Sequence, residues 1–382
     1  MTRRVVGKVF AVYDISSSSV AGGHVLSDGA RTTFLSHARE HAPLQEDINM
    51  DRFVTETIKH LERVVATVQS EDIHHPSYVQ VTLASPWYRS QTRTIVYQAQ
   101  VPFTTTPAFI NKLVDEEIAH MLANEEGPFG VFGTSSLIVE KQLSSIILNG
   151  YPTTAPYGKK ATTVELSLTI TIAPKPVLDR FSEVLKRAYG VRTIGYTTSP
   201  FTTFIVMRDR MNAADDCTVI DVGEEVTDVA FIQRGVVLYQ HSFPVGTYGL
   251  YRALAGKSAS TSRESVTMLE SYRLGKLSPK ASKTIETSLT AFTTHWQSWF
   301  QQVVDAYGRR VPSPIVVTVD PRFEILIQGA LEADPLLAHM AAHGPLVRMV
   351  TSDTFSGQIG DTEGKPIDVP LATTALFVEQ FI

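Results

Sequence analysis

The chain is 382 residues long, enough for two or three domains and a sizeable core. Its 43% apolar and 19% charged residues exclude a disordered chain. A net charge of −5, from 34 basic and 39 acidic residues of interspersed sign, speaks against a nucleic-acid groove, where lysines and arginines cluster.

The N-terminal run "MTRRVVGKVFAVYD" is broken by Gly7 and Lys8 and meets Asp14, which is not the pattern of a signal peptide. "VYDISSSSVAGGHV" (Val12 to Val25) reads as strand, polar turn and strand, with "ARTTFLSHA" as a third strand. "MDRFVTETIKHLERVVATVQ" (Met50 to Gln69) sets Phe53, Ile58, Leu61, Val65 and Val68 on or near one helical stripe. A buried strand, "YVQVTLAS", follows. "TPAFINKLVDEEIAHMLANE" is a second amphipathic helix, with Thr106 as N-cap and Pro107 at its first position. "SLIVEKQLSSIILNGYP" and "TTVELSLTITIAP" read as strands joined across a Pro/Gly/Lys loop, Pro156 to Lys160. "KPVLDRFSEVLKRAYG" is a helix closed by Gly190.

A second hairpin, "CTVIDVGEEVTDVAFIQRGVVLYQ", runs from Cys217 to Gln240. Cys217 is the single cysteine, so no internal disulfide forms and a reducing compartment is expected. "TSRESVTMLESYRLGKL", "KASKTIETSLTAFTTHWQSWFQQVVDAYG" and the strand "PIVVTVD" come next. "PLATTALFVEQFI" reads as a last helix. No run of about 18 apolar residues predicts a membrane span. Strands alternating with helices predict an α/β fold in the cytoplasm.

The two hairpins repeat each other. Asp14 falls on Asp221, Ile15 on Val222 and Ser16 on Gly223. Two related lobes are expected, each aiming a turn at one shared cleft, with Asp14 and Asp221 facing across it. Alternatively, the two aspartates simply end strands in tight turns.

"DISSSSV" (Asp14 to Val20) and "VIDVGEEVTDVAFIQRG" followed by "HSFPVGTYGL", in this order and spacing, resemble the two phosphate loops of the actin-like ATPase superfamily. The likeness is to its bacterial branch of FtsA and PilM, and it covers nearly the whole chain. The resemblance implies an α/β, actin-like (ribonuclease-H-type) two-lobe fold with an inserted α+β subdomain in the first lobe. It divides the chain into a first lobe of residues 1–85, 174–215 and 360–382, an insert of 86–173 and a second lobe of 216–359. It implies ATP with Mg2+ as cofactor. The first loop would supply Asp14, Ser16, Ser17 and Ser18, and the second Asp221, Gly223, Glu224, Glu225, Thr227 and Gly246. Glu270 and Arg273 resemble the family's Glu-x-x-Lys beside ribose and base, or form an ordinary helix-surface pair. Asp14 and Asp221 would handle the metal, since hard oxygens suit magnesium.

Departures from the family pattern predict an eroded nucleotide pocket and no catalytic residues. Glu224 and Glu225 replace two family glycines, which removes the freedom to take positive φ. They also bring charge to a polyanion site: a like pair roughly 5 Å apart at a dielectric of about 20 repels by about 3 kcal/mol, about two decades of affinity. Ser16 replaces another glycine. Where a glycine-rich adenosine motif is expected, Asp320, Pro321 and Arg322 stand instead, and proline removes an N–H.

The absence of a basic amphipathic tail after "PLATTALFVEQFI" favours the PilM-like side of the branch over the FtsA-like side. This implies a cytoplasmic scaffold at the inner face of the cell membrane. It would grip the cytosolic peptide tail of an inner-membrane assembly protein and reach the membrane only through that partner. A homo-oligomer or filament is compatible with the resemblance. The alternatives are an FtsA-like division protein that binds ATP, polymerises and links a division filament to the membrane, and an active ATPase or sugar-kinase relative.

Other signals carry less. "HAREH" (His37 to His41) matches a zinc-protease pattern, but such a site needs a helix and a third ligand, whereas His37 closes a predicted strand and Pro43 follows at once. "HMAAH" (His339 to His343) has metal-ligand spacing without a partner cluster. "LAGKS" (Leu254 to Ser258) lacks the first P-loop glycine. "SSSS" (Ser16 to Ser19) lacks the glycines of a nucleophile elbow. The stripe of Trp296, Trp299, Phe300 and Val303 reads as core. Trp87, Tyr88 and Arg89 are of interface-anchoring types, with core burial as the other reading.

Overall fold

A computed structural model describes residues 7–29, 31–45, 50–72, 74–124, 135–211, 215–258, 261–334, 337, 346–362 and 364–381. His339 and His343 lie outside them. The first lobe opens with the antiparallel strands β1 (Lys8–Ile15), β2 (Ser19–Ser27) and β3 (Thr32–His41), then α1 (Met50–Glu71) and β4 (Val79–Leu83). The insert comprises β5 (Arg89–Thr104), α2 (Pro107–Asn124), β6 (Ser136–Leu148), β7 (Tyr151–Pro152) and β8 (Lys160–Pro174). The first lobe resumes with α3 (Lys175–Tyr189), β9 (Ile194–Thr198) and α4 (Ser199–Met211). The second lobe has β10 (Cys217–Val222), β11 (Thr227–Gln233), β12 (Val236–Phe243), α5 (Thr247–Ser258), α6 (Ser262–Arg273), α7 (Pro279–Tyr307), β13 (Ile315–Val319), α8 (Glu324–Glu332) and β14 (Val347–Met349). The chain then returns to the first lobe with β15 (Ile359–Asp361) and α9 (Val369–Glu379).

The two main sheets have one topology. The first is ordered β3-β2-β1-β4-β9, with β15 added at its β3 edge, and the second β12-β11-β10-β13-β14. In both, an antiparallel meander is extended by parallel strands. The repeat extends to register: Asp14 lies opposite Thr82 on β4, as Asp221 lies opposite Thr318 on β13.

Burial follows the periodicities. On α1, Phe53, Leu61, Val65 and Val68 are buried, with Ile58 partly so, and Val54 and Val64 widen the stripe. Gly190 closes α3 at φ 66°, its N–H donating to the Lys186 carbonyl at 2.9 Å, a geometry that favours glycine. The Phe109 N–H donates to the Thr106 hydroxyl at the start of α2 at 3.2 Å. Trp296 and Phe300 are fully buried and stacked, with Val303 beside them, while Trp87 and Tyr88 belong to the core of the first lobe.

Helices α4 and α9 sit between the two sheets. One apolar cluster joins Phe10, Val12 and Phe34 of the first sheet to Val219, Ala230 and Val316 of the second through Phe204, Val206, Leu371 and Leu376. The lobes therefore share a core. The insert packs α2 on one face of its sheet. It also covers the edge strand β12: Thr169 and Thr92 hydroxyls donate to the Val237 and Leu238 carbonyls, each at 3.1 Å, and the Val237 N–H donates to Gln142 at 3.2 Å. Unpaired backbone at a sheet edge is thereby satisfied. Among the described residues, no helix is long and apolar enough to cross a membrane.

Trp296→Ala should cost about 3–5 kcal/mol of stability, because a fully packed aromatic leaves a cavity. Ile325→Ala, at a site 87% exposed, should change it by less than about 0.5 kcal/mol. Urea unfolding of both variants checks the contrast.

Candidate functional site

Each main sheet aims its first turn at the seam between the lobes. In the first turn, the Ser16 N–H donates to the Ser19 carbonyl at 3.0 Å and the Trp87 indole to the Ser16 carbonyl at 2.7 Å. Ser17 and Ser18 are buried, and the Ser18 carbonyl accepts from the Ala42 N–H at 2.7 Å. In the second turn, the Gly223 N–H donates to the Val226 carbonyl at 3.0 Å. The first amides of α5, from Thr247 and Tyr248, donate to the carbonyls of Gly223 and Glu224 at 3.0 and 2.7 Å. A Cβ at Gly246 would fall 2.4 Å from the Glu224 carbonyl, so this close approach requires glycine.

The loss of glycine at 224 and 225 carries no backbone strain. Among the described residues, the non-glycine positions with positive φ are Asn149 and Arg234. The expected penalty of lost conformational freedom is thus absent, because the turn closes without a left-handed residue.

The two glutamates go different ways. Glu225 is buried and turned into the second lobe, where it meets Arg252 at 2.5 and 3.0 Å. Glu224 turns to the first lobe and accepts from the hydroxyls of Ser16 (2.9 Å), Ser17 (3.3 Å) and Ser19 (3.0 Å). A second tie crosses the seam at Asp228, which accepts from the Ser85 N–H at 3.0 Å, the Ser85 hydroxyl at 2.5 Å and the Ser242 hydroxyl.

Between the turns lies a cavity of about 380 Å³, the size of a small-molecule site. Asp14 and Asp221 both line it, with Glu224, Asp320 and Asp368, so five carboxylates face it. The one guanidinium in the described lining is that of Arg39, which donates to Asp14 at 2.8 Å, Asp368 at 2.9 and 3.0 Å and the Ser19 hydroxyl at 2.6 Å. Asp221 accepts from the Thr318 hydroxyl at 2.6 Å.

Burial pushes the Asp14 carboxyl up to about 6 against the pull of Arg39, with Asp368 and Glu224 adding repulsion. Burial, then the facing Asp228, pushes Asp221 up to about 7. Burial also raises Asp228, against the serine hydroxyls. Asp368 differs: burial would raise it, but Arg39 and the Leu371 N–H hold it low.

Of the residues picked out from sequence, Asp14, Ser16, Asp221, Gly223 and Glu224 line the cavity. Ser17 and Ser18 are buried outside the described lining, and Glu225 turns to Arg252. Thr227 is in the core of the second lobe, bonded to the Val245 carbonyl at 2.6 Å and the Trp296 indole at 3.0 Å. Gly246 underlies the second turn. Glu270 and Arg273 are exposed on α6, outside the lining. Arg39, Asp368, Asp228 and Ser19 were missed. Arg39 lies within "HAREH", and Asp368 precedes Val-Pro as the N-cap of α9, accepting from the Leu371 N–H at 2.9 Å. Among the described residues, no group of three or more His, Cys, Asp or Glu is placed to hold a metal ion. His37 lies 3.4 Å from Asp361.

Two sheets of one topology, meeting at a cleft between their first turns, constitute the expected two-lobe actin-like fold. Within that fold the chain is similar to a solved structure of a PilM–PilN type IV pilus biogenesis complex. The TM-score is 0.63 at 11% identity, over 97% of this chain and 96% of that one. It is also similar to the ethanolamine utilization protein EutJ from Carboxydothermus hydrogenoformans (TM-score 0.45, 13% identity, 98% and 90% of the two chains). A Bacteroides thetaiotaomicron protein with actin-like ATPase fold and unknown function gives 0.42 at 9% identity, over 97% and 96%. No protein-family model matches the chain, and no curated protein matches it in sequence.

The raised acids fix a pH dependence. Both folded-state values exceed the unfolded one, so from about pH 4 to about pH 7 the folded chain binds more protons. The stability these two groups contribute therefore falls as pH rises through that window. Asp221→Asn keeps an acceptor for Thr318 and removes the buried charge. It should raise the melting temperature at pH 8 and leave it nearly unchanged at pH 4; an equal shift at both would contradict the assignment.

Proposed function

We propose that the chain is a scaffold of the PilM type, working at the cytoplasmic face of a membrane, with a cleft that no longer serves nucleotide. Its partner would be the cytosolic peptide tail of an inner-membrane assembly protein, which would also be its link to the membrane. The observation that carries this reading is the charge of the cleft. Five carboxyl groups line the cavity: Asp14 and Asp368 share Arg39, Asp320 is paired with Arg322 at 2.6 Å, burial raises Asp221 to about 7, and Glu224 faces the first turn.

The residues present do not fit Mg·ATP. Asp14 and Asp368 are occupied by Arg39, so the first of the two expected metal ligands is paired with a cation of the chain. The first turn has its hydroxyls turned to Glu224. Asp320 and Pro321 stand in the lining where close backbone approach to a nucleoside calls for glycine. A polyanion entering this cavity meets the Glu224 carboxylate, which no arginine pairs among the described residues of the lining. That like charge is worth about 3 kcal/mol of repulsion at roughly 5 Å and a dielectric of about 20. On this reading the fold's two lobes act as a binding body and not as an engine.

Calorimetry with ATP and magnesium should give no binding at micromolar concentrations; a low-micromolar dissociation constant would refute the eroded cleft. Pull-down with synthetic cytosolic tails of inner-membrane pilus-assembly proteins should capture the chain. Failure with every tail, together with capture by the division tubulin homologue, would move the assignment to the FtsA-like side.

A further inference from the structure

The three serines that meet Glu224 share one pattern. Each hydroxyl accepts from an N–H on one side and donates to the carboxylate on the other. Ser16 accepts from the Ser19 N–H at 3.2 Å, Ser17 from the Glu225 N–H at 3.0 Å and Ser19 from the Arg39 guanidinium at 2.6 Å. Each oxygen receives an N–H and has one proton to give, and Glu224 is the charged acceptor within its reach. The Ser16 and Ser19 hydroxyls also lie 2.9 Å from each other, and the Ser16 hydroxyl 3.3 Å from the Ser19 carbonyl. Two of these protons reach one carboxylate oxygen and the third reaches the other. Three polarised donors converging on the oxygens of one anion make an oxyanion site.

We propose that Ser16, Ser17 and Ser19 form an anion cradle whose resident ligand is the Glu224 carboxylate, an intramolecular stand-in for a phosphate group. Glu224 is then the residue that decides what the cradle accepts. This inference rests on the reading of the cleft as closed to nucleotide and supplies its agent: the cradle is intact but taken. The carboxylate is presented rigidly. Its own carbonyl is held by the Tyr248 N–H at 2.7 Å, and its backbone is packed against Gly246. Arg39 brings positive charge to the carboxylate through Ser19, and its other N–H groups are anchored on Asp14 and Asp368. The contact also spans the lobes, so the cleft is held shut by a bond internal to the chain. A phosphate can enter the cradle only by displacing Glu224.

The test uses the full chain with Glu224→Gly and Glu224→Gln. Magnesium pyrophosphate and magnesium ADP are the calorimetric probes, and hydrogen exchange reads the two turns. Glu224→Gly removes both plug and charge, and should bind the probes at least about 100-fold more tightly than the parent chain. Glu224→Gln keeps the length but loses the charge, and should speed exchange of the amides of Ser19 and Glu225 at least about tenfold. Parent and Glu224→Gly equally unable to bind, with exchange unchanged in Glu224→Gln, would overturn the cradle and leave the eroded cleft standing. Tight binding by the parent chain would overturn both. If Glu224→Gly does not fold, exchange in Glu224→Gln decides alone.

Discussion

A carboxylate taken out of water must be given donors or lose its charge. At the seam between the lobes this chain buries several, because both main sheets carry an aspartate one residue before the end of their first strands. Each is answered differently. Asp14 and Asp368 share the guanidinium of Arg39, while Asp228 is bonded by Ser85 and Ser242. Asp221 has the Thr318 hydroxyl and a proton affinity raised to near neutrality. In two places the donors come from the opposite lobe: Ser85 reaches Asp228, and the first turn reaches Glu224. Meeting the desolvation demand is thus also what ties the halves together. A hydrogen bond to a charged group contributes about 1.5–3 kcal/mol net, so a few such contacts matter to a fold of ordinary stability.

The duplication sharpens this point. Strand order and the Asp–Thr register agree between the sheets, yet the turns have become chemically opposite. The first is all hydroxyl donors; the second presents carboxylate acceptors. Two donor-rich turns facing each other would need a polyanion between them to close the cleft. A donor-rich turn facing an acceptor-rich one needs nothing. The apolar layer of α4 and α9 joins the two sheets below the seam.

The elements legible in the sequence were those that bury one face. The stripes of α1, α3 and α7 were clear because one side of each faces solvent, and the hairpins because their turns are polar. Helix α4 was missed for the opposite reason: Thr202 to Met207 are buried on all sides between two sheets, leaving no amphipathic period to read. Strand β5 was missed because most of its residues are exposed and polar, with its first part docked on β12 by side-chain bonds. In the site, Asp14 and Asp221 announced themselves through the repeat. Arg39, Asp228 and Asp368 did not, since a charge pair formed by strands and a helix cap far apart in sequence leaves no local spacing. The glutamates were legible as unusual residues but not in their direction: repulsion of a ligand was foreseen, attraction to the facing serines was not.

Internal closure bears on what such a fold can do. A ligand shifts a conformational equilibrium only by the difference in its affinity for the two states. In a two-lobe protein whose cleft is bridged by nucleotide, that difference is supplied by phosphate contacts made on both sides at once. On the reading proposed above, Glu224 bridges these positions in place of a nucleotide, which would then have little to add to the closed form, and its removal little to take away. The insert, docked on β12 by side chains along a covered edge, is fixed to the second lobe as well as to the first. On the scaffold reading, a surface built across these parts keeps one shape whatever the nucleotide level. That suits a protein whose work is to hold a partner in place and not to release it in cycles.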